Sequence, residues 1–222
     1  NLKDEFKPLN DYFGEEISEE DSKNGVQPQA IYYVSDPAQQ AQYVAMFKEA
    51  ELDAILCDTF IDSHFVSFIE YKNHKKCRFV RIDADLDNAL KSDEEVKEED
   101  YTDLLNIFKE KLINKDVKIK IEKLKNTGTS AVINVDEFTR RMTEMNEFYG
   151  MNESDLLSLS TLIVNVNNPI VSELLQQPEE KQELLINQIY YLAIIAYKKL
   201  TPDELADFTN RTTKLLLEYS KE

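Results

Sequence analysis

The chain has 222 residues, and 26 basic against 43 acidic side chains leave a formal charge of −17. That length holds one large domain or two small ones, and a 42% apolar share is enough for real cores. The acidity argues against nucleic acid as a partner, because phosphate binding needs clustered Lys and Arg, and no apolar run approaches the roughly 20 residues that cross a bilayer.

Residues 1–14 carry scattered aromatics and read as a short helix, and 15–29, polar and acidic with Gly25 and Pro28, read as a mobile loop. Ile31-Tyr32-Tyr33-Val34 is a β-rich run. Ser35-Asp36-Pro37 follows, an N-cap residue with proline at the first helical position. Ala41, Val44 and Phe47 then fall along one side of a helix, and 52–57 (LDAILC) reads as a second buried strand. Ile61, Phe65, Phe68 and Ile69 recur at helical spacing, and Arg78 to Ile82 makes a third strand. Strand–helix–strand–helix–strand implies a small parallel α/β/α domain with helices on both faces. From Asp83 to Asp100 nine acidic residues stand against two lysines, the pattern of a solvated linker. The next helix carries Tyr101, Leu104, Leu105, Phe108, Leu112 and Ile113, and the boundary is expected near its end, giving domains 1–113 and 114–222.

The second domain reads as α+β. Val117, Ile119 and Ile121 alternate with Lys118, Lys120 and Glu122, the period of a half-exposed strand. Asn126-Thr127-Gly128 is a turn, so 130–134 is expected to return as its antiparallel partner. A helix starts near Asp136, 159–165 (LSTLIVN) is another strand, and Asn168-Pro169 caps a short helix. Two long helices, 179–198 and 202–219, close the chain; Thr201 and Glu204 form a capping box on the last.

Several constellations bear on chemistry. Four glycines, all far apart, make no P-loop or dinucleotide fingerprint, and His64 and His74 lack the spacing of a zinc-protease pair. Cys57 and Cys77 are too few for a disulfide framework or a four-ligand zinc site, and a reducing cytoplasm is expected. Asp83, Asp85, Asp87 and Glu94 match the acidic positions of an EF-hand loop, but Asn88 stands where the sharp turn wants Gly. No metal site is expected there. Asp58 and Asp62 flank the end of the second strand, where open α/β sheets bind ligands; Asp62 also serves as a helix cap. Phe138, Met142, Met145 and Tyr149 form one helical stripe. Such a stripe is either a core face or an adaptable binding face, since methionine suits promiscuous surfaces. The closing helices carry more apolar surface than one face hides, Leu185, Ile189, Leu192 and Ile195 on one and Leu205, Phe208, Leu215 and Leu216 on the other. Pairing with a second copy as a four-helix bundle would bury it.

The two halves in this order resemble the ninety-kilodalton heat-shock chaperone family in its bacterial form. The resemblance rests on Ile31 to Val34, on 50–69 (AELDAILCDTFIDSHFVSFI), and on Asn165-Val166-Asn167-Asn168-Pro169-Ile170-Val171, which is similar to the family's Asn-Pro-Asp-His-Pro-(Ile/Val)-Val segment. It implies that 1–113 is the C-terminal part of a middle domain and 114–222 a C-terminal dimerisation domain. It further implies a cytoplasmic stress-response chaperone fragment that forms homodimers and binds partly unfolded clients. Phe138, Met142, Met145, Tyr149, Phe65 and Phe68 would be the client-binding residues. The family's ATP and magnesium pocket lies in an N-terminal domain without counterpart here, so no catalytic residue, cofactor or ATPase activity is expected of this chain. Its last residues, 218–222 (EYSKE), lack the acidic tail that recruits tetratricopeptide co-chaperones, so none is expected. The competing reading is a small metal-dependent α/β enzyme or receiver built on Asp58, Asp62 and the 83–94 run, with a helical dimerisation tail.

Overall fold

Short apolar runs separated by helix-length segments build parallel sheet, because parallel neighbours need a long crossover. The computed structural model describes residues 1–84, 90–92, 94, 96–148 and 160–220, without the side chains of Phe60, Ser63, Glu98 and 143–148. The chain divides into two units, Asn1–Asp85 and Leu86–Glu222.

In the first unit a 3₁₀ turn at Leu9–Tyr12 and a short helix α1 (Glu19–Lys23) precede strand β1 (Gln29–Val34). Helix α2 (Ala41–Glu49), strand β2 (Ile55–Leu56), helix α3 (Phe60–Lys72) and strand β3 (Cys77–Arg81) follow. The sheet is parallel in the order β2-β1-β3, with Tyr33 opposite Ile55 and Ile31 opposite Phe79. Successive side chains leave a strand on opposite faces. Tyr32 accordingly meets Phe47 of α2 edge-on at 5.0 Å, while Ile31, Tyr33, Cys57, Cys77 and Phe79 gather around Val66 of α3. Helices thus cover both faces, as expected.

Local details differ from the sequence expectation. The 15–29 stretch contains α1, capped by the Ser18 side chain, which accepts the Asp21 N–H at 3.0 Å. Pro37 does not open the next helix: Asp36 Oδ1 accepts the N–H groups of Ala38 and Gln39, both at 3.0 Å, and closes a separate turn before Ala41. The buried stripe of α2 is Tyr43, Met46 and Phe47, and Ala41 is exposed. Strand β2 is only two residues long, with Leu56 turned outward at the sheet edge.

The second unit contains α4 (Thr102–Lys111), β4 (Lys118–Glu122), β5 (Ala131–Asn134), α5 (Glu137–Phe148), β6 (Thr161–Asn165), α6 (Pro169–Ser172), α7 (Glu179–Tyr197) and α8 (Pro202–Tyr219). The expected boundary near Asn114 moves upstream, because α4 shares this unit's core. Leu104, Phe108 and Leu112 pack with Ile121, Leu162, Val164 and Ile194. Asn187 of α7 also caps α4, accepting the Ile113 N–H at 2.7 Å and donating to the Lys111 carbonyl at 3.0 Å.

The expected β4–β5 hairpin does not form. Strand β6 lies between the two, parallel to β4 and antiparallel to β5. Leu162, Ile163 and Val164 of β6 are all buried, and an uninterrupted apolar run marks a central strand rather than an edge. Asn165 at its end is fully buried and uses its whole amide. Its Oδ1 accepts the Leu124 and Asn167 N–H groups at 2.9 and 3.1 Å, and its Nδ2 donates to the Asn126 and Thr129 carbonyls, both at 2.7 Å. Asn167 and Asn168 donate to the Leu124 and Thr127 carbonyls at 2.9 and 2.8 Å. The asparagines of the 165–171 motif therefore pin the 123–129 loop to the sheet.

Candidate functional site

Three carboxylates of the metal-dependent reading, Asp62, Asp83 and Glu94, have local partners. Asp62 Oδ2 accepts the Thr59 N–H at 2.9 Å in a capping box at the start of α3. Asp83 is buried and held by Arg81 through two hydrogen bonds of 2.5 and 2.8 Å. Glu94 receives Lys123 Nζ at 2.5 Å, and hydrogen bonding to that ammonium holds its carboxyl below the ordinary value. Asp85, Asp87 and Asn88 lie outside the described residues. Among the described residues no three His, Cys, Asp or Glu side chains converge as a metal site would require. Burial pushes the Cys57 thiol up to about 12, with Asp62 and Asp58 adding to the effect, and an un-ionised buried thiol is a poor nucleophile.

Helix α3 turns Val66 and Ile69 toward the sheet and leaves Ile61, Phe65 and Phe68 exposed. Lys72 Nζ lies 4.6 Å from the Phe68 ring centroid. Beside α3 a cleft of about 480 Å³ is lined by Ile55, Leu56, Phe65 and Val66 and by residues of the N-terminal segment, including Phe6 and Leu9. The sequence reading placed Phe65 and Phe68 but missed the cleft, whose wall comes from a segment without apolar periodicity.

On α5 two residues of the stripe lie outside the core. Phe138 is 74% and Met142 41% exposed. The Met145 side chain and Tyr149 lie outside the described residues. The helix begins with Asp136 as a cap: its Oδ1 accepts the Thr139 N–H at 2.9 Å. Arg140, on the opposite side from Phe138 and Met142, is 3% exposed.

The closing helices differ from expectation in where their apolar surface goes. Ile186, Ile189, Tyr190, Tyr191 and Ile194 of α7 are buried in the core of their own unit. Ile189 is therefore a core residue in this chain and not a free interface residue. A helix apolar all round finds its cover here in β5, α4 and α8. Leu185 is half-buried, and Leu192 and Ile195 are exposed. On α8, Phe208 packs its ring 6.4 Å from that of Tyr191, and Gln188 donates to Thr212 Oγ1 at 3.0 Å. Leu215 is half-buried, while Leu205, Leu216, Leu217 and Tyr219 are exposed; none of the α8 residues is buried. Among the described residues no helix is long and apolar enough to cross a membrane.

Comparison with known proteins places the chain's similarity in one class, the molecular chaperones. Over 176 residues, 72% of the chain, it is 28% identical to the chaperone protein HtpG of Porphyromonas gingivalis, in two strains. Over 168 residues, 67% of the chain, it is 27% identical to the chaperone protein HtpG of Bacteroides fragilis. The resemblance carried by the sequence motifs is thus shown by these relatives. The chain spans about a quarter of their length, 25% and 23% respectively. No protein-family model matches it.

Proposed function

We propose that this chain is the part of an HtpG-type chaperone that joins two subunits and presents apolar surface to partly unfolded client proteins. In this reading the first unit, Asn1–Asp85, belongs to the C-terminal part of the middle domain, and the second unit, Leu86–Glu222, contains the dimerisation domain. ATP and magnesium belong to a part of the parent protein outside these residues, and the chain works in the cytoplasm as one portion of the parent's ATP-driven cycle. The chain itself is not an enzyme.

The observation that supports this most is the outward apolar stripe of α5, Phe138 and Met142, lying over a buried charged underside. A soluble helix ordinarily faces the other way. Phe65 and Phe68 of α3 add a second exposed apolar surface. A client with exposed hydrophobic segments exchanges water for these side chains at about 25 cal/mol per Å², which gives reversible capture once ordering costs are subtracted. Two copies facing one client raise its retention through effective concentration.

Substituting Met142→Lys puts a charge into the stripe without touching the core. Fluorescence anisotropy of a labelled, partly unfolded client is expected to show affinity lowered about tenfold, with the solution mass unchanged. Unchanged client affinity would remove α5 from the client surface.

A further inference from the structure

In a chain of net charge −17, residues 115–125 (KDVKIKIEKLK) carry five lysines against two acidic side chains. The middle of that run is strand β4, which lies at an edge of its sheet because β6 takes the centre. Alternate residues of an edge strand turn their backbone N–H and C=O groups inward to the neighbouring strand and outward to solvent. The Lys118 N–H donates to the Ser160 carbonyl at 3.3 Å, and the Glu122 carbonyl accepts the Val166 N–H at 3.0 Å, so the even-numbered positions bond to β6. The groups of Ile119 and Ile121 therefore face outward, and among the described residues no backbone group pairs with them there.

One end of this edge already carries a short strand-like segment. The Lys123 carbonyl accepts the Ser92 N–H at 2.8 Å and the Lys125 N–H donates to the Leu90 carbonyl at 3.0 Å, an antiparallel bridge between Lys91 and Leu124. Past Ser92 the pairing stops, and the Glu94 N–H donates to Ser92 Oγ at 3.4 Å. The edge thus accepts an antiparallel neighbour at its C-terminal end and leaves the rungs at Ile119 and Ile121 open.

The side chains beside those rungs define what fits. Lys118 and Lys120 leave β4 on one face and are exposed; Ile119 and Ile121 leave it on the other, where Ile121 is core and Ile119 packs against it. Glu122, the acid on the lysine face, already takes Lys120 at 2.7 Å and Lys91 at 3.1 Å, and Lys118 has no ion-pair partner among the described residues. Surplus positive charge therefore sits beside open backbone groups. At physiological salt charges are screened over about 8 Å, so these lysines outweigh the chain's overall acidity locally. A second copy of β4 fits badly. Paired antiparallel about Ile119 it would lay Lys118 and Lys120 against each other, and like charges directly opposite destabilise a strand pair. Paired about Lys120 it would run its Val117 into the place of Ser92.

We propose that the open stretch of β4 is a docking site for an extended acidic peptide, which joins the sheet antiparallel with carboxylates opposite Lys118 and Lys120 and apolar side chains opposite Ile119 and Ile121. Backbone bonds to Ile119 and Ile121 hold such a peptide, and the lysines select its charge. The site is independent of the client surface on α3 and α5 and does not rest on it.

The test uses the full chain and a capped, fluorescein-labelled hexapeptide that alternates Glu and Val. Fluorescence anisotropy is expected to show saturable binding, weakened about tenfold or more in the double variant Lys118→Glu, Lys120→Glu. Amide exchange at Ile119 and Ile121 is expected to slow about tenfold when the native chain is saturated. Two further probes use the native chain, so their outcome does not depend on how the variant folds. A hexapeptide alternating Lys and Val is expected not to bind, and the Glu and Val peptide N-methylated on its valines, which cannot donate to the edge, is expected to lose binding. No saturable binding of the Glu and Val peptide would overturn the proposal, as would unchanged exchange at Ile119 and Ile121. Equal binding of the N-methylated peptide would overturn it too, leaving only charge attraction at the surface.

Discussion

Helices α7 and α8 have nearly equal lengths, 19 and 18 residues, but α7 is the more apolar, at 12 positions against seven, and their fates are opposite. The first buries residues around most of its circumference inside its own unit; the second buries none. Apolar content sets how much of each helix must be covered, and position sets what covers it. Helix α7 crosses β5 and is flanked by α4 and α8, which leaves only a narrow strip with Leu192 and Ile195 exposed, whereas α8 meets α7 along one stripe, at Phe208 and Thr212. Helix α8 leaves Leu205, Leu216, Leu217 and Tyr219 exposed, and the proposed pairing with a second copy would cover them.

The largest expected effect that sharpens this contrast is on folding stability. Ile194→Ala, at a fully buried site, should cost about 2–5 kcal/mol in urea unfolding. Leu216→Ala, at 65% exposure, should cost less than about 0.5 kcal/mol at concentrations where the chain is single. Equal losses would break the distinction between the two helices.

A smaller effect concerns how α8 keeps its shape with so little burial. Its start depends on a reciprocal cap, with the Thr201 N–H donating to Glu204 Oε2 at 2.8 Å and the Glu204 N–H donating to Thr201 Oγ1 at 3.3 Å. Thr201→Ala should cost about 1 kcal/mol, seen as faster hydrogen exchange in the first turns of α8 but not in α7. Burial would raise the Glu204 carboxyl, but the Thr201 backbone bond and the Lys198 ammonium outweigh it and leave it lowered from 4.5. A lowered carboxyl stabilises the fold fully above its unfolded value and loses that contribution as pH falls through the folded one. Below pH 4.5 the first turns of α8 should therefore loosen before α7 does, and simultaneous loss would contradict the contrast.

Much of the fold was legible before the structure, for identifiable reasons. The three parallel strands of the first unit announced themselves as short β-rich runs at crossover spacing, and Thr201 with Glu204 marked the start of α8 by side-chain chemistry alone. Pairing was not legible. Alternation in 117–122 says that a strand has one wet face, but not which strand lies beside it, and the central place of β6 was visible only in the unbroken Leu162-Ile163-Val164 run. Much of the cover for α7 comes from β5 and α4, distant in sequence, so Ile189 read as surplus when it is core. In the candidate site the apolar stripe could be found by counting, but its direction could not. Glu137, Arg140 and Arg141 look like an ordinary solvated face until their burial and mutual hydrogen bonds are known.

In the proposed function the apolar remainder of α8 joins two copies of this chain. Light scattering across a dilution series tests it most directly, on the native chain and on Leu216→Glu. The expected mass is near twice 25.8 kDa for the native chain, falling to a single copy in the mutant with the fold retained by circular dichroism. A native chain that stays at one copy at every accessible concentration would contradict it.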